Sequence, residues 1–147
     1  MPRIPRPTAA PLLALLLLAA GGCGKSYTLA PVSGQVTLDG KPLAGAEVAL
    51  YPVGAAKDGP YASGVTDDQG RYTLSVLLDG GSTGGAVVGE NRVTVSRNRL
   101  NKGTKLRPKE LTGGHDDVPA KYNESSTLTL SVPAGGTDKA DFDLKSK

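Results

Sequence analysis

The sequence predicts an all-β domain, built as an antiparallel β-sandwich of about seven strands, and three observations support this prediction. Gly and Pro supply 20 and 11 of the 147 residues, and such frequent turn formers leave little room for long helices. Short runs of alternating apolar and polar residues recur after Val32, as expected for strands with one buried and one solvated face. No window after Cys23 shows a sustained helical periodicity. Several such strands are best accommodated by two packed sheets.

Turn signals separate the predicted strands. Asp39-Gly40 and residues 67–70 are expected to form tight turns, and Pro52 ends the second strand. A Gly-rich break over residues 79–85 is expected to divide the domain into two halves. The predicted strands cover residues 32–38, 46–51, 61–66, 71–76, 92–96, 127–132 and 140–145.

The predicted core consists mostly of Val and Leu, and its two largest side chains are expected to be Tyr72 and Phe142. Truncating a central aromatic side chain typically destabilises a domain by about 3–5 kcal/mol. Because total stability is often only about 5–15 kcal/mol, the loss of either ring is expected to threaten the fold.

The first 22 residues have the organisation of a cleaved secretory signal. Arg3 and Arg6 provide a basic start, residues 11–20 are almost entirely apolar, and two glycines precede the expected cleavage point. The apolar run is about half as long as a membrane-spanning helix requires. Residues 1–22 are therefore predicted to be removed on export.

The single cysteine of the chain follows this segment directly. Cys23 and the small residues before it resemble the lipobox of bacterial lipoproteins, in which the thiol becomes diacylglyceryl-modified, although Ala20 departs from the commoner Leu. The alternative is a plain signal peptide that leaves an unpaired thiol. Residues 23–31 are interpreted as the lipidated cysteine and a tether, and Gly24 favours the outer membrane over the inner by the same resemblance. The expected location is thus the cell envelope, with a lipid anchor in the membrane.

The net charge excludes one class of partner. The chain has 17 basic and 14 acidic residues, and removal of Arg3 and Arg6 leaves 15 against 14. A nearly neutral mature protein lacks the basic excess typical of nucleic-acid binding. No aromatic residues are interleaved with the basic ones, so base stacking is not expected either.

Four segments carry a family resemblance. Residues 32–50 and 64–74, each built around an Asp-Gly or Asp-Asp-Gln-Gly turn, resemble the first two hairpins of carboxypeptidase regulatory-like domains. Residues 118–123 and 141–144 resemble small bacterial lipoproteins that carry this domain alone. The resemblance implies a transthyretin-like, Greek-key β-sandwich over residues 32–147. It implies nothing specific about activity, since function depends on a site rather than on a fold.

No catalytic residue, metal site or cofactor is predicted. His115 is the only histidine and lies beside Asp116 and Asp117, without the Ser elbow of a hydrolase. Residues 67–69 lack the ligand spacing of a calcium loop, so a turn is the simpler interpretation. The hydroxyisourate hydrolases of the transthyretin-like fold use several His and Arg residues and a Tyr-Arg-Gly-Ser C-terminus, which this chain lacks.

Two groups of residues are candidates for ligand contact. Tyr51, Tyr61 and Tyr122 are the rings expected at the surface, where they could stack on a sugar. Residues 98–117 form a long basic segment, interpreted as a mobile crossover outside the core, with a contact to anionic lipid or glycan as the alternative. Its candidate contact residues are Arg99, Lys102, Lys105 and Arg107.

The sequence therefore predicts a non-enzymatic, lipid-anchored β-sandwich of the cell envelope that acts as a structural, adhesion or binding module. A carbohydrate-binding module and an accessory domain of an envelope hydrolase are the alternatives. The expected partners are the membrane, through Cys23, and an envelope protein or glycan.

Overall fold

The structure, a computed structural model, describes residues 26–97 and 117–147. These two ranges contain almost no helix, only the short 3-10 helices Gly54–Ala56 and Ala120–Tyr122. The prediction of an all-β domain is thereby confirmed. The strands are β1 Leu29–Ala30, β2 Ser33–Leu38, β3 Lys41–Pro42, β4 Glu47–Pro52, β5 Ala62–Val65, β6 Arg71–Thr73, β7 Ser75–Leu78, β8 Gly81–Gly84, β9 Ala86–Val87, β10 Gly89–Ser96, β11 Thr129–Val132 and β12 Phe142–Leu144.

Six strands form one antiparallel sheet in the order β11-β10-β4-β5-β7-β8. A second sheet is built around β2, which pairs antiparallel with β6 and with β3. The last strand, β12, runs parallel to β2. The expectation of purely antiparallel pairing was therefore wrong for β12, because alternation within a strand does not depend on the direction of its neighbour.

The turns follow the predicted chemistry. Asp39 and Gly40 connect β2 to β3 with φ values of 52° and 78°, as a two-residue hairpin turn with positive φ at both positions requires. In the turn before β6, the Asp67 carboxylate accepts hydrogen bonds from the backbone N–H groups of Gln69 and Arg71, at 2.9 and 2.8 Å. The Asp67 carboxylate thus stabilises the turn, as predicted for residues 67–70.

Two predicted segments differ from the observed strands. The run predicted over residues 71–76 is two strands that meet at Leu74, of which β6 joins the β2 sheet and β7 joins β5. The Gly-rich segment predicted as a break contains β8, which pairs with all four residues of β7. Glycines produce no alternating pattern, so β8 could not be recognised from side chains.

Strand pairing begins before Val32. Strand β1 lies within the segment interpreted as a tether and pairs antiparallel with β9. Ala30 is buried and belongs to the hydrophobic core. The N-terminal part of the described chain is therefore packed against the domain from Leu29 onward.

One hydrophobic cluster draws its members from both sheets, as expected for two sheets that pack on each other. Its large, fully buried side chains include Leu50 of β4, Leu144 of β12 and Leu74 at the crossover between sheets. Tyr72 is buried as predicted, and its hydroxyl donates to the Ala140 carbonyl. Phe142 is only half-buried and packs against the cluster, with its ring centroid 6.5 Å from that of Tyr72.

The second sheet includes one very close backbone approach. A Cβ atom on Gly34 of β2 would lie 2.1 Å from the Ala140 carbonyl oxygen. Only glycine lets the segment before β12 come this near to β2. The same carbonyl accepts the Tyr72 hydroxyl, so Gly34, Tyr72 and Ala140 form one tightly packed unit.

Candidate functional site

The outer face of the six-stranded sheet carries an ordered row of side chains. Arg92 of β10 lies opposite Tyr51 of β4, and its guanidinium carbon is 5.4 Å from the Tyr51 ring centroid. Tyr61, just before β5, stacks on Tyr51 with centroids 5.5 Å apart and ring planes at 20°. Because β4 lies between β10 and β5, Tyr51 is flanked by Arg92 on one side and Tyr61 on the other.

This row is held in place by weak contacts. An aromatic pair contributes about 0.5–1.5 kcal/mol beyond its buried area, and an exposed cation–π contact contributes about 0.5–1 kcal/mol. Both contacts fix the orientation of Tyr51, which is 37% exposed, whereas Tyr61 at the end of the row is 52% exposed. The rings are therefore oriented at the surface before any ligand arrives.

A depression lies beside this row. Two positions farther along β10 is Thr94, which lies opposite Ala49 of β4. Ser96 follows on β10. The depression has a volume of about 400 Å³ and is lined by Tyr51, Arg92, Thr94, Ser96, Asn123 and Glu124.

Another part of the lining of the depression comes from the segment after the second 3-10 helix. The Ser126 hydroxyl donates to the Val93 carbonyl of β10 at 2.5 Å, which ties this segment to the sheet. The Asn123 side-chain amide donates to the Val118 carbonyl at 3.2 Å. These two contacts hold the segment that contributes Asn123 and the exposed Glu124 to the lining of the depression.

Tyr122, the third tyrosine predicted as a ligand contact, lies elsewhere. Its ring is half-buried against the core, and Lys121 Nζ is 5.0 Å from its centroid. Its hydroxyl accepts the backbone N–H of Lys145 at 3.0 Å. The structure therefore brings Tyr51 and Tyr61 together, while Tyr122 links the 3-10 helix to the C-terminal residues.

The other candidate residues lie outside the described part of the chain. Cys23 and His115 belong to this group, as do the basic candidates Arg99, Lys102, Lys105 and Arg107. The residues that flank the basic segment are described: Arg97 and Asp117 form an ion pair at 2.7 Å. Sequence reasoning missed this pair, because twenty positions separate its members and no pattern links them.

Several polar groups of the second sheet have structural roles. The Asp143 carboxylate accepts the Thr37 hydroxyl at 2.8 Å and contacts Lys145 Nζ at 2.9 Å. Hydrogen bonds from Lys145, and then from Thr37, hold the pKa of Asp143 below its usual value. Hydrogen bonds from Ser146 likewise lower the pKa of Asp39. These carboxylates bind the last residues of the chain to β2 and its turn.

The described residues contain neither a group of metal ligands nor a long apolar helix. In residues 26–97 and 117–147, no three His, Cys, Asp or Glu side chains are grouped as metal ligands. Within the same ranges, no helix has the length and apolar character needed to cross a bilayer.

Five residues of the depression were not recognised from the sequence. They are ordinary polar residues of their segments, and nothing in their spacing marks them: Arg92, Thr94, Ser96, Asn123 and Glu124. Alternation predicts that the first three face solvent. Only the pairing of β10 with β4 places them beside Tyr51.

Comparison with protein families, with curated proteins and with solved structures found no match to this chain. The resemblance to carboxypeptidase regulatory-like domains therefore stays a prediction from the sequence.

Proposed function

We propose that this protein is a non-enzymatic binding module of the cell envelope, anchored by lipid on Cys23 and folded as a transthyretin-like, Greek-key β-sandwich. The N-terminal pattern of basic, apolar and small residues before the single cysteine supports the anchor. The two sheets that share one core support the sandwich. The ligand surface of the proposal is the outer face of the six-stranded sheet.

One observation carries the binding proposal: the row of Arg92, Tyr51 and Tyr61 beside the depression. Binding sites combine apolar or aromatic walls with a few placed polar groups. Here Tyr51 and Arg92 supply such a wall, and Thr94 and Ser96 contribute hydroxyls to the lining. The arrangement is open to solvent, as a surface for part of an extended ligand would be.

The ligand class favoured by this surface is a neutral glycan. Sugars offer apolar C–H faces to aromatic rings and hydroxyl groups to polar side chains. Arg92 provides donors, Glu124 provides acceptors, and the two opposite charges disfavour a ligand with a strong charge of either sign. This makes carbohydrate binding the specific form of the proposed function.

The binding proposal is tested by isothermal titration of soluble Cys23→Ser protein with a panel of neutral envelope polysaccharides. Removal of one good contact should weaken affinity about tenfold, which corresponds to about 1.4 kcal/mol. Arg92→Ala and Tyr51→Ala should each show this loss. Arg71→Ala, an exposed arginine on β6 of the other sheet, is the matched control. Equal affinity of all three variants for every bound polysaccharide would reject this surface as the site.

The anchor is tested separately in cells. Metabolic labelling with a fatty-acid probe should mark the wild-type chain in the outer-membrane fraction. The Cys23→Ser variant should be unlabelled and should move to the soluble fraction. Labelling of the serine variant would refute the assignment of Cys23 as the acylated residue.

A further inference from the structure

One corner of the six-stranded sheet carries exposed leucines. In the β7–β8 hairpin, Leu77 pairs with Ser82 and Leu78 pairs with Gly81, next to the turn. Leu77 is 78% exposed and Leu78 is 43% exposed. Consecutive residues of a strand point to opposite faces of the sheet. Both faces of the hairpin tip are therefore apolar, and no described residue covers either leucine fully.

Aromatic side chains lie at the same end of the sheet. The antiparallel register of β5 and β7, continued by one residue, places Tyr61 beside Leu77. Two residues before Tyr61, a Cβ atom on Gly59 would lie 3.1 Å from the ring of Tyr27. Tyr27 thus packs at this end, which we call the leucine end: Tyr27, Gly59, Tyr61, Leu77 and Leu78.

The described chain begins at the leucine end. From Tyr27 it runs through β1 to Val32, whose carbonyl accepts the N–H of Leu74 at the opposite end of β7. Ser26, the first described residue, therefore lies at the leucine end. Cys23 precedes Ser26 by three residues, a span of at most about 10 Å even when the chain is fully extended.

We propose that the leucine end of the domain docks on the surface of a phospholipid bilayer, with Leu77 and Leu78 inserted into the interface. This inference rests on the proposed acylation of Cys23, because the short distance from the acylated residue to Ser26 holds the leucine end near the lipid. Exposed apolar side chains held at a bilayer surface enter the region between the headgroups and the acyl chains. Tyrosines are favoured at the same depth.

The charged residues around the leucine end indicate whether the contact with the bilayer is electrostatic or apolar. Among the described residues, Lys57, Asp58 and Asp79 are the exposed charged ones next to Gly59 and to the hairpin turn. Binding to anionic lipid needs a cluster of basic residues, and this group does not provide one. The docking is therefore apolar, and it requires neither anionic headgroups nor low salt.

The part of the proposed ligand surface farthest from the leucine end stays accessible, while Tyr61, which belongs to both, lies next to the bilayer. The depression beside Arg92 lies on the outer face of the sheet, and along β10 it extends to Ser96, away from the leucine end. When the leucine end contacts the bilayer, the outer face of the six-stranded sheet is roughly perpendicular to the membrane surface. The inference thus adds an orientation to the proposed module.

The absence of tryptophan from the chain makes a direct test possible. Leu77→Trp places a reporter at the leucine end, and Val65→Trp is the matched control. Val65 is 65% exposed and lies at the other end of neighbouring β5, on the same face. The acylated full-length variants, purified from membranes, are reconstituted in phosphatidylcholine vesicles with and without bromine on the acyl chains.

The expected result is a shift of the Leu77→Trp emission to shorter wavelength and quenching by brominated lipid several-fold stronger than for Val65→Trp, unchanged by high salt. Absence of quenching in both variants while the protein floats with the vesicles would overturn the docking but leave the anchor intact. Equal quenching of both would overturn the orientation. Failure to float with vesicles would refute the anchor, and the docking with it. Quenching that requires phosphatidylglycerol would overturn the apolar mechanism.

Discussion

The outer faces of the two sheets are both rich in polar side chains, but they use them differently. On the β2 sheet, Asp141 accepts the backbone N–H of Gln35, and Asp143 accepts the Thr37 hydroxyl, each at 2.8 Å. On the six-stranded sheet, Arg92 contacts a ring that is itself at the surface. On the β2 sheet, the polar side chains hydrogen-bond to neighbouring strands and stabilise the fold. On the six-stranded sheet, they are exposed to solvent.

This difference shows why polarity alone does not mark a binding face. A carboxylate that already accepts hydrogen bonds from its own chain has little capacity left for a ligand. Exposed aromatic rings that do not contribute to the core are a stronger indication of a binding face. The described residues with large, exposed apolar side chains all lie on β4, β5 and β7 of the six-stranded sheet or directly before β5; they are Tyr51, Tyr61, Val65, Leu77 and Leu78. The comparison predicts that changes near β2 affect folding and that changes on the six-stranded sheet affect binding.

The largest expected effect is on the β2 side, at Tyr72. Tyr72→Ala removes a buried ring that packs between the sheets and donates to Ala140, so the free energy of unfolding should fall by about 3–5 kcal/mol. Chemical denaturation monitored by circular dichroism measures this loss. A loss below about 1 kcal/mol would show that the core does not depend on this ring.

Tyr72→Phe measures the contribution of the hydroxyl to stability separately from that of the ring. Leaving the buried Ala140 carbonyl without its donor should cost about 1–3 kcal/mol. Burial also raises the pKa of Tyr72 above its ordinary value of 10.0. Because the folded pKa is the higher one, the stabilisation is complete below pH 10 and declines as pH rises above it. The wild type should therefore lose stability at alkaline pH more steeply than Tyr72→Phe.

A smaller effect is expected at Gly34. Gly34→Ala drives a methyl group into the Ala140 carbonyl, and the forced shift of the segment before β12 should cost about 1–3 kcal/mol. Gly84→Ala on the exposed edge strand β8 is the matched control, because an added Cβ there meets nothing within 4 Å. Thermal unfolding of both variants should show a clear loss for Gly34→Ala alone. Equal losses would mean that the approach of β12 to β2 is not tight.

On the six-stranded sheet, Tyr51→Ala should change stability by less than about 1.5 kcal/mol, because it removes only an exposed stack and a cation–π contact. Its effect should appear in polysaccharide affinity instead. Denaturation and titration of the same sample check both parts. A large loss of stability with unchanged affinity would reverse the assignment of the two faces.

The smallest expected effect is the acid response of the C-terminal contacts. The folded pKa values of Asp39 and Asp143 are lower than their ordinary value of 3.8. Their stabilisation is therefore present above this value and is lost as pH falls through the lower, folded pKa. The unfolding temperature of the wild type should fall more between about pH 5 and pH 2 than that of the Asp39→Asn, Asp143→Asn double variant. Asp68→Asn, on the exposed turn before β6, controls for loss of a surface charge, and a parallel decline of all three proteins would contradict the prediction.

The candidate site was only partly predictable. Tyr51 and Tyr61 were predicted to be surface rings, but ten positions separate them and their stacking depends on the pairing of β4 with β5. Tyr122 was predicted to be a surface ring as well, yet its hydroxyl accepts the backbone N–H of Lys145. The role of a tyrosine is set by its neighbours in space, which composition does not record.

Local chemistry alone predicted most of the strands and turns of this protein. Alternation identified β2, β4 and β10, because successive side chains of a strand face opposite ways whatever lies beside them. Asp39-Gly40 identified a turn, because this dipeptide is favoured where both residues need a positive φ. The tertiary structure decided which strands pair: the parallel course of β12, the change of sheet at Leu74 and the Gly-rich strand β8. It also brought Arg92 to Tyr51, since such contacts depend on the register between distant segments, and a single strand carries no information about register.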